Sequence, residues 1–510
     1  MRSLVSLLLP ALAVALSLTA PAPAATPTEA ADKLRNFLDG IPTLGPGYAV
    51  VVVDRDRHVL DYVRGQRDAK SGAPLTLDTP MYIASQTKSY MGLLAHRLDR
   101  RGVLRLDSTL AEHWPDLKLP DGVDASAWTL ADLLNHRVPI SADAITGLEA
   151  YIAAPDPKRY PQLLASFATA RAPGFDYDNL GYNIYAAILF QNTGKRWQDW
   201  LQDELFKPLD LRHTSARTSD FAADTLAASH TWLGDAEGWE RVAPKPDAIM
   251  HSAGGIMTSP NDLARWLQLQ LRGTGPRGFD AALFKAAHRS GVQVDPAARN
   301  AYELPCDGYA FGWNICNFEG HVLYIHGGGY TGARTMMAFA PELGIGIGVF
   351  SNSDNMTGWL TSRTVVQYLQ FLVDHAEAEE WAATRQKLYP ERVAEFLASR
   401  RKQYDDVRAD ASWKGWAWKP AAEGLAVYAG SYRNEALGVT VAVTATSDGL
   451  HLRMGVLERR LAPAAEDLFG ASWLRLDPPE AVQFLRDGDG AVSGFEYDGM
   501  RYARQAVATP

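Results

Sequence analysis

The chain has very little cysteine, with Cys306 and Cys316 as the two cysteines in 510 residues. Two thiols cannot build the multi-cysteine kind of zinc site, and the zinc-binding pattern HExxH is absent, so we expect no metal. An exported protein is allowed a disulfide, and two buried free thiols are the alternative. The sequence leaves both states of this cysteine pair open.

Long apolar runs and blocks of one charge are also missing. Beyond the N-terminal region, no segment has the roughly 18 uninterrupted apolar residues that a transmembrane helix needs. The formal net charge is −9, and the 50 basic and 59 acidic residues are mixed along the chain. No basic block marks a nucleic-acid partner, so we exclude that class of function. The hydrophobic content of 47% is that of a globular protein with room for more than one domain.

Residues 1–24 have the features of a signal peptide. Arg2 is followed by the apolar run "LVSLLLPALAVALSL", and the small residues of "PAPAATP" allow cleavage after Ala24. A membrane anchor is the alternative, but Pro10 and Ser17 interrupt the run and no stop-transfer flank follows it. We expect a periplasmic or secreted protein that has no integral membrane segment once the signal is removed.

The order of strand and helix patterns predicts a sheet-centred body followed by a small β domain. Strand patterns lie at residues 47–65 and return in "HVLYIHGGG", "ARTMMAFAP" and "GIGIGVFSN", on either side of a mainly helical region from Ser85 to about Leu271. After Leu425, short alternating segments separated by Asp-Gly turns indicate an antiparallel sandwich or barrel. The predicted units are residues 30–378, a charged helical linker at 379–424 and a C-terminal antiparallel β domain at 425–508.

The first candidate for chemistry lies in "MYIASQTKSYMGLLAHRLDRRG", where Lys88 follows Ser85 by three positions. In one reading Ser85 only caps a helix and Lys88 is solvated. In the other, the two side chains share a helix face and a desolvated Lys88 accepts the serine proton. Backbone N–H groups at the helix start would then stabilise an oxyanion. The second reading requires partners elsewhere in the chain.

Two later motifs supply such partners. Tyr177 and Asn179 precede an apolar helical run, although a helix cap and a half-buried aromatic would look the same. The stretch "HGGGYTG" begins at His326, and its glycines allow a close backbone approach. Residues 327–332 match GxGxxG formally, but a strand pattern rather than a helix follows, which argues against a dinucleotide site. GxSxG is absent, which disfavours the nucleophile-elbow hydrolases.

In this order, the three motifs resemble those of the penicillin-binding-protein and class C β-lactamase superfamily, the S12 type of serine peptidases. The motifs are Ser85-x-x-Lys88, Tyr177-x-Asn179 and His326-x-Gly328, supported by "LADLLNH", "SAGGIMTSPNDLARWLQLQL" and "YAFGWNI". The resemblance implies an α/β (α+β) serine β-lactamase-like fold, with an antiparallel sheet flanked by helices and a helical subdomain. The segment after Leu425 resembles the lipocalin-like barrels that follow some of these enzymes.

The resemblance also implies roles for the residues of the first two motifs. Ser85 is expected to be the nucleophile that forms an acyl-enzyme, and Lys88 to hold and pass its proton. Tyr177 would occupy the general-base position and titrate together with Lys88 as one coupled pair. Asn179 would orient Lys88 and the substrate amide. No metal or organic cofactor is implied.

In the third motif, His326, Gly328 and Gly329 are expected to bind substrate. The backbone N–H groups of Gly329 and Ser85 would form the oxyanion hole. Family members often carry lysine where this chain has His326. Because a neutral histidine offers no permanent cation to a carboxylate, we expect neutral amides or esters to be preferred, unless Arg334 replaces the lysine.

Two other positions depart from the family pattern. Asp178 stands between Tyr177 and Asn179, where family members often have serine, and it could perturb the charge balance at Lys88. After "LLNH" the chain reads "RVPISADAI" instead of a small-residue turn, so the rim of the site is expected to differ.

The sequence therefore predicts an exported serine hydrolase that cleaves an amide bond, in a peptide that could contain D-residues, through an acyl-serine. An esterase or β-lactamase of the same superfamily is the alternative, as is a non-catalytic penicillin-binding sensor module. The expected partner is a small-molecule or peptide substrate, and the sequence does not give the oligomeric state.

Overall fold

A computed structural model of the chain describes residues 25–42, 44–295, 300–353 and 358–506. The predicted signal peptide, residues 1–24, lies outside the described residues. Within the described ranges, no helix combines the length and the apolarity needed to cross a bilayer.

Helices form the linker and much of the body. The α-helices are α1 (Pro27–Asp39), α2 (Thr87–Arg100), α3 (Leu110–His113), α4 (Leu130–Leu134), α5 (Asp143–Gly147), α6 (Tyr160–Phe167), α7 (Leu180–Thr193), α8 (Trp197–Leu201), α9 (Pro260–Arg272), α10 (Ala281–Ala287), α11 (Gly358–Leu372), α12 (Ala378–Ala409) and α13 (Ala422–Leu425). Two π-helical turns follow α5 and α8, at Leu148–Ile152 and Gln202–Phe206. Short 3₁₀ turns lie at Ala84–Gln86, Ala125–Ala127, Pro157–Arg159, Thr218–Asp220, Asp247–Ile249, Ala411–Trp416 and Ala426–Tyr428.

The strands divide into a body and a barrel. The body contains β1 (Gly47–Val53), β2 (His58–Asp68), β3 (Ala73–Pro74), β4 (Met81–Tyr82), β5 (Ile140–Ser141), β6 (Thr169–Ala170), β7 (Ser229–Trp232), β8 (Trp239–Val242), β9 (Met257–Thr258), β10 (Val292–Gln293), β11 (Asn300–Ala301), β12 (Leu304–Ala310), β13 (Trp313–Phe318), β14 (His321–Tyr330), β15 (Ala333–Ala340) and β16 (Ile345–Ser351). The barrel contains β17 (Gly430–Asn434), β18 (Val439–Thr446), β19 (Gly449–Met454), β20 (Leu457–Ala465), β21 (Leu468–Ala471), β22 (Glu480–Arg486), β23 (Val492–Tyr497) and β24 (Met500–Arg504).

The main sheet joins the two ends of the body. Its strand order is β10-β12-β13-β14-β15-β16-β1-β2-β3, with β11 paired to β12, so the first strand of the chain lies between β2 and the late strand β16. Both neighbours of β1 are antiparallel to it. All of β1 is buried because each face of the sheet is covered. Alternate residues face opposite sides of a strand, so Val51 joins the core under the helical region, whereas Val50 packs with α1 and α11.

The two cysteines form a disulfide. Cys306 on β12 and Cys316 on β13 are directly paired across the antiparallel ladder and are bonded to each other. The structure therefore resolves the alternative that the sequence left open, in favour of the oxidised pair.

The C-terminal segment forms a closed barrel of eight antiparallel strands, β17 to β24. Its apolar core includes Leu148 from the π-helical turn of the body, whose side chain is 2% exposed. The turn between β19 and β20 also contacts the body: the Val456 N–H donates to the Ile152 carbonyl at 3.0 Å. The predicted fold class is confirmed, and the barrel is in direct contact with the helical region.

The charged segment between the body and the barrel is mostly the long helix α12, which contains Pro390. Arg400 on this helix donates to Thr231 Oγ1 of the body at 2.7 Å and also pairs with Asp477 of the barrel. The helix therefore contacts both units. The domain limits at residues 378 and 424 stay predictions.

Candidate active site

Ser85 lies in the 3₁₀ turn Ala84–Gln86, immediately before α2. The preceding residue, Ala84, has a φ of 47°, in the left-handed region that disfavours residues with a side chain, and such strain is concentrated at functional sites. Ser85 lines a cleft of about 610 Å³. Gln86, rather than Ser85, occupies the N-cap position of α2, so capping does not account for the serine.

Lys88, in the first turn of α2, is completely buried. Its Nζ lies within hydrogen-bond distance of three oxygens: Ser85 Oγ at 3.2 Å, Asn179 Oδ1 at 2.8 Å and the Ala253 carbonyl at 2.9 Å. Burial lowers the pKa of Lys88 to about 7, while the negative charge of Asp178 acts in the opposite direction. The solvated-lysine reading of this motif is therefore wrong, and near neutral pH a large fraction of Lys88 is an uncharged amine.

Tyr177 lies beside this amine. The Lys88 Nζ is 4.8 Å from the centroid of the Tyr177 ring, and Tyr177 lines the same cleft as Ser85. The ring is held between His136, at a centroid distance of 4.7 Å, and His326, at 5.8 Å. The aromatic ring of the second motif is thus fixed next to the lysine of the first.

At the start of α7, Asn179 contacts Lys88 and Asp178 contacts the backbone of the helix. Asn179 occupies the N-cap position but makes no side-chain cap bond, because its Oδ1 accepts from Lys88. Asp178 Oδ1 instead accepts from the Gly181 N–H at 3.4 Å, in the first turn of the helix. The acidic residue that departs from the family pattern therefore takes over a capping contact while the asparagine orients the lysine.

The third motif lies on β14, which packs directly against the turn that carries Ser85. A Cβ added at Gly328 would lie 2.0 Å from the Ile83 carbonyl oxygen, so only glycine allows this approach. Thr335, opposite Gly328 on β15, donates to the same carbonyl at 3.3 Å. The approach places Gly328 and Gly329 in the wall of the Ser85 cleft.

His326 is 1% exposed and is bonded to the protein through both ring nitrogens. Its Nδ1 lies 2.7 Å from the Gly327 carbonyl, so Nδ1 carries a proton, and its Nε2 lies 3.3 Å from the Tyr309 hydroxyl. A permanent cation in the same cleft is supplied by Arg334, which sequence reasoning singled out as a substitute for lysine.

Arg334 is held in place by two backbone carbonyls. Its Nη1 donates to the Tyr330 and Ala333 carbonyls at 2.8 and 2.9 Å. A Cβ added at Gly329 would lie 3.1 Å from that nitrogen, so the guanidinium covers the glycine that is expected to supply an oxyanion N–H.

The unusual sequence after "LLNH" builds one side of the cleft. It forms β5, α5 and the π-helical turn Leu148–Ile152, whose Tyr151 lines the cleft together with Ser85. The Tyr151 ring stacks on Tyr330 at 5.6 Å and meets Trp473 of the barrel edge-on at 5.0 Å. The barrel therefore contacts residues that line the cleft.

Sequence reasoning missed several groups of this site. The Ala253 carbonyl carries no side-chain signal, although "SAGGIM" was noted as a similar stretch. Tyr151 and Trp473 come from segments with no family pattern to match. Among the described residues, no group of three or more His, Cys, Asp or Glu side chains is arranged to hold a metal.

Comparison with known proteins places the body of the chain in one family. Residues 41–365 match the family model described as Beta-lactamase. Penicillin-binding protein 4 of Amycolatopsis lactamdurans is 28% identical over 62% of this chain and 83% of its own length. Protein flp of Staphylococcus aureus (strain MW2) is 23% identical, and the aligned region spans 63% of its length, less than two thirds.

Two solved structures show the same fold. The octameric penicillin-binding protein homologue from Pyrococcus abyssi superposes with a TM-score of 0.55, at 20% identity, over 93% of this chain and 99% of that chain. The D-amino acid amidase from Ochrobactrum anthropi SV3 gives 0.53, at 20% identity, over 68% of this chain and 98% of that chain. With the family match over most of the body, the chain belongs to the beta-lactamase family, whose penicillin-binding-protein-like members are serine hydrolases.

Proposed function

We propose that the protein is an exported serine hydrolase that cleaves an amide bond through an acyl-enzyme on Ser85. The observation that carries this proposal is the position of Lys88. A buried amine with a pKa of about 7 lies 3.2 Å from the serine hydroxyl and is oriented by Asn179 and a backbone carbonyl. A free serine hydroxyl is a weak nucleophile, and a neighbouring base of this kind activates it.

In the first half of the proposed reaction, Ser85 Oγ bonds to the carbonyl carbon of the substrate. Its proton passes to the pair formed by Lys88 and Tyr177, whose ring centroid lies 4.8 Å from the Lys88 Nζ. The carbonyl oxygen becomes an oxyanion, which the backbone N–H groups of Ser85 and Gly329 stabilise. One such donor contributes about 3–4 kcal/mol to lowering the barrier.

In the second half, the proton held by the pair is returned to the leaving amine as the bond to it breaks. This leaves an ester between Ser85 Oγ and the acyl group. Water then attacks the ester carbonyl and gives its proton to the same pair, and the pair returns a proton to Ser85 as the acid product leaves. Every proton is therefore handled by Lys88 and Tyr177.

An amide is favoured over an ester because an amine leaves only when it is protonated, and Lys88 is placed to protonate it. The D-amino acid amidase that shares this fold supports the choice of bond. An esterase or β-lactamase would use the same groups and remains the second candidate. A non-catalytic sensor module would have no reason to keep the contacts among Ser85, Lys88 and Asn179. Export is proposed from the pattern of residues 1–24 alone.

The test is covalent labelling with a fluorophosphonate, followed by intact-mass analysis and peptide mapping. We expect one adduct, on Ser85, and no adduct in a folded Ser85→Ala variant. Ser362→Ala is the matched control, because Ser362 lines the same cleft. Labelling of Ser85→Ala at the unaltered rate, or loss of labelling in Ser362→Ala alone, would contradict the proposed nucleophile. A panel of β-lactams, amides and esters then separates the candidate activities.

A further inference from the structure

A second cavity, of about 590 Å³, shares Tyr330 with the Ser85 cleft. Its size lies in the range of about 300–1,000 Å³ that is typical of small-molecule sites. Apolar groups make up much of its wall, among them Phe221, Leu226 and Met257. Tyr82, which lies three residues before Ser85 in the chain, is also part of the wall.

The wall also includes the charged residues Arg241, Lys245 and Asp247, of which Lys245 is the buried one. Lys245 lines the cavity and is 7% exposed. Prolines 244 and 246 flank it and restrict its backbone, and its carbonyl accepts from Thr218 Oγ1 at 2.7 Å. The lysine is therefore held in place by the chain around it before any ligand arrives.

The amine of Lys245 has few polar groups around it that could stabilise a positive charge. Its Nζ donates to the Ala150 carbonyl at 3.0 Å and lies 4.3 Å from the Tyr330 ring centroid and 5.3 Å from that of Tyr82. Burial lowers its pKa to about 7, and no carboxylate of the described residues offsets that effect. The nearby Asp247 instead accepts from the backbone N–H and the hydroxyl of Ser219.

An ammonium has three N–H donors, and one of them is used here. A buried cation that lacks a carboxylate is costly, and a ligand that supplies one recovers that cost. The surrounding apolar wall favours a ligand whose remaining surface is apolar. These two requirements together describe an apolar molecule that ends in a single carboxylate.

We propose that this cavity, lined by Phe221, Leu226, Met257, Tyr330 and Lys245, binds an apolar monocarboxylic acid whose carboxylate pairs with Lys245. The inference goes beyond the proposed function, since binding here does not require acylation of Ser85. Because Tyr330 belongs to both cavities, an occupant of this one lies next to the substrate cleft.

Calorimetric titration of the full chain with 4-phenylbutyrate and with its neutral counterpart 4-phenylbutanamide tests the proposal. The Ser85→Ala background prevents turnover of the amide and separates this test from the catalytic proposal. We expect the acid to bind at least about tenfold more tightly than the amide, as for charge-assisted hydrogen bonds. The preference should disappear in Lys245→Met and persist in Lys285→Met, whose lysine is exposed on α10.

Equal binding of the two probes, binding of neither at millimolar concentration, or a preference that survives Lys245→Met would overturn the proposal. If Lys245→Met does not fold, a chemical footprint of the unsubstituted protein tests the same contact. The unaltered lysines are acetylated with an N-hydroxysuccinimide ester and mapped by mass spectrometry. 4-Phenylbutyrate should slow acetylation of Lys245 and leave Lys285 unchanged, and the amide should protect neither. Absence of protection by the acid would also overturn the proposal.

Discussion

Burial and a neighbouring carboxylate act in opposite directions on the charge of Lys88. Burial favours the neutral amine and lowers the pKa to about 7, whereas the charge of Asp178 favours the ammonium. In the proposed reaction the amine must be neutral to accept the proton of Ser85, so this balance would set the pH at which that reaction begins. Asp178, which stands where similar proteins often have serine, therefore opposes the effect of burial on the pKa of Lys88.

We predict that the pH profile of kcat/KM rises through about pH 7, because the neutral fraction of Lys88 grows as pH rises through its pKa. In Asp178→Asn the carboxylate charge is lost, so the pKa of Lys88 falls further and the rising limb moves to lower pH by up to about one unit. Asp176→Asn is the control, because Asp176 is exposed and pairs with Arg171. A limb that moves to higher pH in Asp178→Asn, or moves equally in both variants, would contradict this assignment.

A second prediction at the residue scale concerns how a substrate carboxylate is recognised, and Arg334 is the residue expected to bind it. Both ring nitrogens of His326 are engaged by the protein, and Arg334 supplies a permanent cation in the same cleft. We predict that Arg334→Ala lowers kcat/KM about 10- to 100-fold for a peptide with a free C-terminus relative to its amidated form, the scale of a charged hydrogen bond. In Arg334→Ala, where this cation is missing, we expect the amidated peptide to be preferred over the free acid, as the histidine at position 326 predicts.

The measurement is a matched pair of substrates that differ only at the C-terminus. Arg265→Ala, which removes a half-exposed arginine paired with Asp210 on the surface, controls for loss of charge. If the ratio of kcat/KM for the free-acid and amidated substrates is unchanged in Arg334→Ala, another group must bind the carboxylate.

At the scale of elements, the turn that contains Ser85 is held by close backbone contacts on two sides. On one side, Gly328 of β14 packs against the Ile83 carbonyl, which precedes the turn. On the other, the turn between β12 and β13 reaches α2, where a Cβ on Gly312 would lie 2.3 Å from the backbone nitrogen of Ser89. Gly92 of α2 meets the carbonyl of Phe311 in the same way. The helix that carries Lys88 is thus fixed by glycines rather than by side-chain packing alone.

We predict that Gly328→Ala forces β14 away from the Ser85 turn, because the added Cβ would meet a backbone oxygen that cannot rotate aside. The free energy of unfolding should fall by about 1–3 kcal/mol, as for overpacking. Fluorophosphonate labelling of Ser85 should slow at least about tenfold, since the oxyanion donor on Gly329 moves with the strand. Gly488→Ala is the control, because nothing lies within 4 Å of a Cβ there. Equal effects of the two substitutions would contradict the argument.

The sequence predicted which helices and turns contain the candidate residues, but it did not predict the contacts that those residues make. Motif order and the apolar pattern of α2 were enough to select Ser85 and Lys88, and a turn before an apolar run was enough to place Asn179 at the start of α7. The burial of Lys88 could not be predicted from the sequence, because its Nζ is enclosed by groups far along the chain, Asn179 at 91 and Ala253 at 165 residues after it. The partner Ala253 acts through its backbone, which is the same in every residue, so no side-chain pattern could reveal it.

For the whole molecule, the sequence predicted a barrel but not where it docks. The alternation after Leu425 follows from the period of two in a strand, which is local. Docking depends instead on single residues of the body, such as Leu148, which is buried in the barrel core, and Ile152, which accepts from the β19–β20 turn. Because Tyr151 lies between these two residues and lines the cleft, the barrel and the active site share one short segment.

Through this shared segment the barrel contacts the wall of the cleft, and Trp473 is the barrel residue at which the consequence can be measured. The Trp473 ring meets Tyr151 at 5.0 Å and Tyr330 at 6.0 Å, and both tyrosines line the Ser85 cleft. We predict that Trp473→Ala raises KM several-fold for extended substrates with little change in kcat, because the rim loosens while Ser85 and its proton acceptors are untouched.

Labelling by a small fluorophosphonate, which needs only the nucleophile and the oxyanion hole, should keep its unaltered rate in Trp473→Ala. Trp418→Ala is the matched control, because Trp418 lies in the linker segment and packs against the barrel away from Tyr151 and Tyr330. Its ring packs against Phe469 at 5.6 Å and has no contact with the rim among the described residues, so that variant should lose stability and keep its KM. An unchanged KM in Trp473→Ala, or the same rise in Trp418→Ala, would show that the barrel only rests against the body. A rise confined to Trp473→Ala requires that the barrel determine how far the cleft can reach along its substrate.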